Sequence, residues 1–400
     1  VPRGAGTGLS GGSIPLADCI LMGMGKFNKI LETDFDNRCV VAQPCVANLA
    51  ITQAVQHRDF YYAPDPSSQL ACSIGGNVAE NSGGVHSLKY GTTTNNLMGV
   101  EMVLMDGTVL KLGGKRLRPL LTLMVTEAFE GDVHEALNAA LSIEVFHNFS
   151  LVHDDIMDAA PLRRGMPTVH HKWDVNTGIL SGDAMLIMAY QLFENYEPKT
   201  FQALAKLFSK TAIEVCEGQQ YDMDFEQRDD VQVDDYLKMI EYKTAVLVGA
   251  SLQMGAIVSG ADDENQKHIY NFGKNLGIAF QLQDDYLDAF GDPETFGKQV
   301  GGDIIENKKT YLYIKALESS DAKQQQELSN LYNEDYQVEN EDKIKRVKAI
   351  FKATGAAEKT QEAIKAFTSK AFDILESISI TDSSKSILKD FGIWLMNRRV

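Results

Sequence analysis

Apolar residues recur at helical spacing along most of the chain after residue 115. The longest windows of this kind cover residues 135–157, 200–215, 236–257, 266–287 and 343–375. Apolar positions repeating every three or four residues are typical of helices with one buried face. The polar stretches 229–235 and 318–342 separate these windows and predict loops. The pattern therefore predicts an all-α region over residues 113–400.

The first part of the chain has a different pattern. Residues 1–114 contain 16 of the 32 glycines. Short β-branched runs at 38–42, 99–105 and 108–112 lie between clusters of Gly, Pro, Asn and Ser, which favours strands joined by turns. We therefore expect a small α+β segment over residues 1–112, followed by a mainly α domain.

Composition and charge narrow the functional classes. The chain has 400 residues, enough for two or three domains with a buried core. Its net charge of −17 argues against general binding to nucleic acid or to anionic membranes. Residues 1–112 contain nine acidic and seven basic side chains, so the helical region carries nearly all of this charge.

The five cysteines form no CxxC pair, which predicts neither a zinc site nor a disulfide framework. Together with the lack of a recognisable signal peptide, this predicts a reducing, cytoplasmic compartment. The uncharged stretch 39–56 is broken by Pro44, and the stretch 245–261 contains Ser251 and Gln253. We expect no integral membrane span, and we expect the second stretch to be a buried helix.

Two aspartate-rich motifs are the sharpest chemical feature. The first contains Asp154, Asp155 and Asp158, and the second contains Asp284, Asp285 and Asp288. Residues four apart share a helix face, so the first and last aspartate of each motif point the same way. His147 lies two turns before Asp154 on that face, and Gln281 lies one turn before Asp284.

Clustered carboxylates repel each other unless a cation joins them. Mg²⁺ prefers oxygen ligands and typically takes one or two carboxylates together with substrate phosphates. A single such motif is more often a solvated helix end. Two copies on apolar helices, 130 residues apart, favour a magnesium–diphosphate site.

Basic residues lie close to both motifs in the sequence. They are Lys115, Arg118, Arg163, Arg164, Lys243, Lys298 and Lys308. Arginine binds phosphate oxygens through two parallel hydrogen bonds, and lysine acts as a point charge. One basic pair alone would be a surface patch, but several beside two acidic motifs predict a site for diphosphate groups.

These segments resemble the trans-isoprenyl diphosphate synthases, the polyprenyl synthetase family. The resemblance is carried by GGKRLRP, FHNFSLVHDDIMDAAPLRRG, the pair Lys243–Thr244, FQLQDDYLD and GKQVGGDIIENKKT, in the family's order over residues 113–400. It implies a helical bundle around a deep apolar cavity. The implied reaction is the Mg²⁺-dependent condensation of isopentenyl diphosphate with an allylic diphosphate.

The same resemblance implies a role for each motif residue. The six aspartates would hold magnesium, and Asp154, Asp158, Asp284, Lys243 and Arg163 would be catalytic. The allylic diphosphate would contact Arg163, Lys243, Thr244, Gln281, Lys298 and Lys308, while isopentenyl diphosphate would contact Lys115, Arg118, His147 and Arg164. Phe149 and Ser150 would set product length, with Phe149 limiting it to C15 or C20. A homodimer is the expected assembly.

The glycine-rich segments at the start of the chain resemble a second family. RGAGTGLSGG and IGGNVAENSGG are similar to the FAD-binding domain of glycolate oxidase and D-lactate dehydrogenase flavoproteins. The resemblance implies that Gly4, Gly6, Gly8, Gly75, Gly76 and Asn77 line FAD. It covers only residues 1–112 and lacks the rest of that domain, so unpaired strand edges are expected to weaken folding and FAD binding.

The two resemblances meet at residues 112–115, Leu-Gly-Gly-Lys, which both families can contain, without a Pro- or Ser-rich linker. The helix that usually precedes GGKRLRP is missing. These observations lead to the hypothesis of an accidental or artefactual fusion. The alternatives are a flavin oxidoreductase or flavin module with a helical partner, a terpene cyclase and an inactive chimera. The GGKRLRP block disfavours the cyclase, which binds no isopentenyl diphosphate.

Overall fold

The structure of the protein is a computed structural model. It describes all residues except 9–10, 16–18, 36–37, 88–90, 94–95, 98, 104–108, 113–116, 164–165, 292–300, 334–335, 337 and 398–400. The chain divides into two compact units, residues 1–115 and 116–400.

The described residues of unit 1 form short paired strands and two α-helices. Strand β1 (Pro2–Arg3) runs parallel to β2 (Met22–Gly23), while β3 (Ile30–Asp34) pairs antiparallel with β4 (Cys39–Ala42) and β5 (Val100–Val103) with β6 (Val109–Leu112). Helix α1 spans Asn48–Val55, a 3₁₀ turn spans Gln56–Arg58, and α2 spans Ile74–Glu80. The predicted α+β character is confirmed.

In the part of unit 2 that the structure describes, the elements are helical apart from one small hairpin. Strands β7 (Leu162–Arg163) and β8 (Met166–Pro167) form the hairpin. The helices up to α8 are α3 (Leu117–Ala128), α4 (Leu137–Met157), α5 (Val169–Lys172), α6 (Val175–Gln191), α7 (Pro198–Gln227) and α8 (Val233–Ile240). A π-helix (Glu241–Ala245) then leads into α9 (Val246–Val258) and α10 (Asp263–Phe290). The remaining helices are α11 (Gly302–Ile305), α12 (Tyr311–Ser319), α13 (Ala322–Leu331), α14 (Asn340–Ala353), α15 (Ala356–Glu376) and α16 (Asp382–Asn397).

The core of unit 2 is built around α9 and α10. Helix α9 is buried on most of its surface, as Leu252, Met254 and Ala256 illustrate with 0% exposure. The prediction of a buried helix at this position is confirmed. It packs against α3, α7 and α10, and α10 packs against α15 on its other side. Among the described residues, no helix is long and apolar enough to cross a membrane.

The prediction of a loop over 318–342 was wrong, and two of the apolar windows are subdivided. The window 343–375 is two helices, because Gly355 has a φ of 72° and ends the α14 segment. The stretch 318–342 is not only loop, since it contains α13. The side chain of Asp321 caps that helix in a reciprocal pair with Gln324. The window 236–257 is interrupted by the π-helix.

Candidate active site

The first aspartate motif ends helix α4. Asp154 and Asp155 lie in its last turn, and Asp158 follows directly. The guanidinium of Arg163 reaches back from β7, with its Nη2 atom 3.2 Å from Asp154 Oδ2 and its Nε atom 2.5 Å from Asp155 Oδ1. Burial raises the pKa of Asp155 even though Arg163 opposes the shift. Arg163 therefore stabilises two adjacent carboxylates at the helix end.

Lys243 comes from the π-helix and approaches the same aspartates. Its Nζ atom lies 2.5 Å from Asp222 Oδ2 and 3.6 Å from Asp154 Oδ1. Burial alone would lower the pKa of Lys243, but Asp222 and Asp154 outweigh burial and raise it. Lys243 thus stays charged between two carboxylates that come from different helices.

The second motif lies near the end of α10, and its middle aspartate is enclosed by the protein. Asp285 is 6% exposed. The hydroxyl of Tyr236 donates a hydrogen bond to Asp285 Oδ2, and Gln281 Nε2 donates to Asp285 Oδ1 over 3.0 Å. Gln281 in turn accepts a hydrogen bond of 3.2 Å from Thr244 Oγ1. Burial, followed by the nearby Asp303, raises the pKa of Asp285 well above its usual range.

The turn after the second motif places another acidic residue, Asp303, beside Asp288. Gly301 adopts a φ of 86°, which a larger residue would adopt with strain, and its N–H donates to the Asp288 carbonyl. The backbone N–H of Asp303 donates to Asp288 Oδ2 over 3.1 Å. Burial and Asp288 raise the pKa of Asp303 to about 6. Lys308 lies 3.7 Å from Asp303 and 2.9 Å from Glu306.

The two motifs are electrostatically connected through these charges. Burial and Asp154 raise the pKa of Asp158, whereas Lys243 and Lys308 oppose the shift. The charge of Asp222 contributes to the raised pKa of both Asp158 and Asp303. Asp158 after α4 and Asp303 after α10 therefore share Asp222 and Lys308 as charged neighbours.

A cavity of about 120 Å³ lies beside this cluster. Its polar wall contains Asp222, Lys243, Thr244, Gln281, Asp303 and Lys308. Phe225, Met239 and Ile240 supply apolar wall. Such a lining suits a ligand with a charged end and an apolar end.

The remaining predicted residues divide into three sets. Arg118 lies in the first turn of α3, and His147 lies within α4, where its carbonyl accepts a hydrogen bond of 2.8 Å from Ser150. Phe149 is 7% exposed and packs edge-on against the ring of His153, with the ring centroids 4.8 Å apart. Lys115, Arg164 and Lys298 lie outside the described residues.

The sequence interpretation gave no role to Asp222, Tyr236 or Asp303. Gly218 could have indicated Asp222, which lies one helical turn after it. Glycine has no side chain, so another helix can approach closely there. Asp303 directly follows two glycines beside the second motif. No sequence signal links Tyr236 to Asp285, because their contact depends on how α8 packs against α10.

Two of the glycines predicted to line FAD, Gly4 and Gly76, lie close to the same residue, Ser73. A Cβ atom on Gly4 would lie 2.2 Å from Ser73 Oγ, and one on Gly76 would lie 3.2 Å from it. The Nδ2 donor of Asn77 is buried and has no hydrogen-bond partner. These features fit a polar cradle for a pyrophosphate group. Among the described residues of unit 1, the buried apolar side chains are those of Val46, Ile51, Val55 and Cys72.

The donor chemistry at the aspartate cluster also fits a hard cation. Asp154 Oδ1 is buried and accepts no hydrogen bond, although the Lys243 ammonium lies 3.6 Å away. Within the described ranges, no three His, Cys, Asp or Glu side chains are grouped closely enough to hold a metal. A buried carboxylate oxygen beside the cavity fits Mg²⁺, which prefers oxygen ligands and shares its coordination with substrate phosphates and water.

Comparison with known proteins supports both resemblances. The polyprenyl synthetase family model matches residues 105–351, and an FAD binding domain model matches residues 1–113. The two matches overlap at residues 105–113. Because the first match covers more than half of the chain, the chain belongs to the polyprenyl synthetase family.

Curated relatives agree with this family. A geranylgeranyl pyrophosphate synthase from Geoglobus acetivorans is 44% identical over 211 residues, which cover 52% of this chain and 66% of the relative, slightly under two thirds of its length. A short chain isoprenyl diphosphate synthase from Methanothermobacter thermautotrophicus is 36% identical over 276 residues, which cover 69% of this chain and 84% of the relative.

Solved structures confirm the predicted fold of the helical region. A crystal structure of a geranylgeranyl pyrophosphate synthase shares 58% identity and a TM-score of 0.69, covering 72% of this chain and 89% of that one. A geranylgeranyl pyrophosphate synthase from Corynebacterium glutamicum, complexed with isoprenyl diphosphate and magnesium, shares 29% identity and a TM-score of 0.65. That match covers 72% of this chain and 87% of the solved chain.

Proposed function

We propose that residues 113–400 form a magnesium-dependent trans-prenyltransferase that condenses isopentenyl diphosphate with an allylic diphosphate. The observation that carries this proposal is the position of Lys243, whose ammonium lies between Asp154 of the first motif and Asp222. Lys243 is charged and lies between carboxylates of two helices. It can bind a diphosphate once metal cations neutralise the negative charge of those carboxylates. Relatives named geranylgeranyl and geranylfarnesyl diphosphate synthase support the short-chain class.

The proposed reaction breaks the allylic C–O bond and forms one new C–C bond. The diphosphate leaves with the bonding electrons, the isopentenyl double bond attacks the allylic cation, and the released diphosphate takes the proton that is lost. Lys243, Arg163 and Lys308 would stabilise the charge that develops on the leaving group, because preorganised charge is usually the largest catalytic term. The apolar cavity wall would exclude water, which would otherwise quench the cation.

Bound Mg²⁺ would supply further positive charge to the leaving diphosphate. The proposed ligands are Asp154 in α4, Asp158 directly after it, and Asp284 and Asp288 in α10. The oxygens of Asp285 already accept hydrogen bonds from Tyr236 and Gln281. Asp155 Oδ1 accepts a hydrogen bond of 2.5 Å from Arg163, shorter than the 3.2 Å bond from Arg163 to Asp154. We therefore propose that these two middle aspartates act mainly by orienting the helix ends.

The product is proposed to be a C15 or C20 prenyl diphosphate. Phe149 lies five residues before Asp154, which is roughly 7–8 Å along the helix axis. Its ring is held between Phe146, with centroids 5.4 Å apart, and His153. A bulky, fixed ring at this depth would stop the growing chain, with the neighbouring Ser150 as a second length-determining position.

An elongation assay tests the proposed function. The full chain is incubated with isopentenyl diphosphate, a labelled allylic diphosphate and Mg²⁺, and the products are separated by length. Elongated product that disappears with EDTA is expected, and Asp154→Ala is expected to lower turnover by orders of magnitude. A folded protein without elongated product, or with equal activity in EDTA, would refute the proposal.

We also propose that residues 1–112 are a partial FAD-binding segment joined to the prenyltransferase at the shared Leu-Gly-Gly-Lys tetrapeptide. The overlap of the two family matches at residues 105–113 supports a join there. Among the described residues of the segment, each strand has a single partner and few apolar side chains are buried. Such a segment would hold FAD weakly, despite the fitting glycine cradle.

Two measurements test this second proposal. Sequencing intact transcripts across codons 105–120 shows whether the join exists in the cell, and continuous reads would rule out an assembly error. The visible absorbance of the purified protein reports flavin. A colourless protein is expected, and a stoichiometric flavin spectrum would contradict weak binding and favour the oxidoreductase alternative.

The assembly is proposed to be a cytoplasmic homodimer. Helix α6 exposes large apolar side chains, including Leu180 at 68%, Ile187 at 60% and Met188 at 56%. Leu180 and Ile187 are seven residues apart and share a helix face, which favours one continuous interface. The cytoplasmic compartment is proposed from the cysteine pattern of the sequence, which contains no CxxC pair.

A further inference from the structure

The π-helix that carries Lys243 and Thr244 is held between two glycines on neighbouring helices. The Val246 N–H donates its hydrogen bond to the Glu241 carbonyl, five residues earlier, so this turn is wider than an α-helical turn. Such turns are rare and appear mostly as single-turn bulges. The wide turn is continuous with α8 before it and with α9 after it. Contacts with other helices must therefore keep it in place.

Gly218 of α7 lies against one side of this turn. A Cβ atom at Gly218 would lie 2.2 Å from the Lys243 nitrogen, 2.7 Å from its Cα and 2.6 Å from the Tyr242 carbonyl carbon. All three contacts are with backbone atoms, which cannot rotate away as a side chain would. One turn further along α7, Asp222 reaches the Lys243 ammonium. Any side chain at Gly218 would therefore displace the backbone from which Lys243 extends.

Gly277 of α10 lies against the turn in the same way. A Cβ atom there would lie 2.7 Å from Ala245 Cα and 2.9 Å from Ala245 Cβ. One turn further along α10, Gln281 accepts the hydrogen bond from Thr244. Asp222 lies four residues after Gly218 on α7, and Gln281 lies four residues after Gly277 on α10. Each glycine is thus one turn before the side chain of its own helix that contacts the π-helix.

We propose that Gly218 and Gly277 are positioning residues for Lys243 and Thr244. The two glycines let α7 and α10 approach the π-helix at backbone distance, which allows Asp222 to reach Lys243 and Gln281 to reach Thr244. They act through the residues of the π-helix and touch no substrate. The effect on catalysis rests on the proposed function, whereas the effect on the Lys243–Asp222 ion pair does not.

Gly218→Ala provides the kinetic test, with Gly249→Ala as the matched control. Gly249 lies on α9, and a Cβ atom there would lie 2.8 Å from the Tyr270 carbonyl oxygen, so it is also a tight helix contact without a site residue. We expect Gly218→Ala to lower kcat about tenfold or more and to leave KM for isopentenyl diphosphate nearly unchanged. Gly249→Ala should lower thermal stability but keep kcat per folded molecule.

A double-mutant cycle separates positioning from general damage to the fold. If Gly218 acts through Lys243, adding Gly218→Ala to a Lys243→Ala variant should cause no further loss of kcat. A further loss equal to that of Gly218→Ala alone would overturn the proposal. So would equal losses of kcat in Gly218→Ala and Gly249→Ala.

A stability measurement tests the same inference without any enzymatic assay. The coupling between Lys243→Met and Asp222→Asn is measured by thermal unfolding of the full chain, first in the wild type and then in Gly218→Ala. We expect a measurable coupling that is lost when the alanine is present. Coupling of equal size in both backgrounds would overturn the role of Gly218, whatever reaction the chain catalyses.

Discussion

The carboxylate of Asp222 lies 2.5 Å from the Lys243 ammonium, which lies 3.6 Å from Asp154 at the end of the first aspartate motif. The three residues come from α7, the π-helix and α4. Because Asp222 provides a closer negative charge than Asp154, it orients the lysine and limits its motion. The ion pair therefore fixes the position of the Lys243 ammonium, which is one of the groups proposed to bind diphosphate.

Replacing Asp222 with asparagine is expected to lower turnover. The amide keeps the shape of the side chain but removes the charge that orients Lys243. We predict a kcat about ten- to a hundredfold lower, which corresponds to about 1.4–2.7 kcal/mol of transition-state stabilisation. Asp224→Asn, on the same helix, is the control, because its carboxylate accepts a hydrogen bond from the exposed Gln220. Equal rates for the two variants would argue against the role of Asp222.

Tyr236→Phe is expected to destabilise unit 2. The variant removes the hydroxyl that donates to the enclosed carboxyl of Asp285 and leaves an acceptor with one donor fewer. A buried polar group that loses its partner costs about 1–3 kcal/mol in the free energy of unfolding. Chemical denaturation measures this loss, and Tyr221→Phe, whose residue is 37% exposed, is the control. A Tyr236→Phe variant as stable as the control would contradict the interpretation.

Phe149→Ala is expected to shift the products to longer chains. Removing the ring opens space below Asp154, so the growing chain can extend past this depth. Chromatography of the dephosphorylated products checks the shift. Phe146→Leu is the control, because it changes the same aromatic cluster and should lower stability without changing product length. An unchanged product distribution in Phe149→Ala would remove Phe149 as the length determinant.

Leu180→Asp is expected to convert the proposed homodimer to monomers. A charge on this exposed apolar face of α6 would have to be buried without a partner in the interface. Sedimentation velocity at micromolar concentration distinguishes the two states. Ile387→Asp, at a position on α16 that is 56% exposed, should remain dimeric. A wild-type chain that sediments as a monomer would refute the homodimer.

Much of the fold followed from the sequence because the helices have clear apolar faces. The strands at β4 and β6 and the helices α4, α7 and α10 lie where the pattern predicted them. Helix breaks were harder to predict, since Gly355 ends one helix within a continuous apolar pattern. The π-helix was not predicted, because it depends on contacts with α7 and α10 that no local pattern records.

The site shows the same division between local and long-range information. Motif spacing indicated Asp154, Asp158 and Gln281, and the family resemblance indicated Lys243; all four lie around one charged cluster. Asp222 and Tyr236 were missed because their partners are 21 and 49 residues away in the sequence. Only tertiary packing brings such pairs into contact.

The most direct test of the central claim is the Mg²⁺ dependence of allylic diphosphate binding. Calorimetry with a thiolo analogue, whose bridging sulfur prevents ionisation, measures affinity for the wild type, Asp154→Ala and Asp284→Ala. We predict tight binding by the wild type in Mg²⁺, at least about a hundredfold weaker binding in EDTA, and little Mg²⁺ effect in either variant. Equally tight binding in EDTA, or an undiminished Mg²⁺ effect in both variants, would contradict the account.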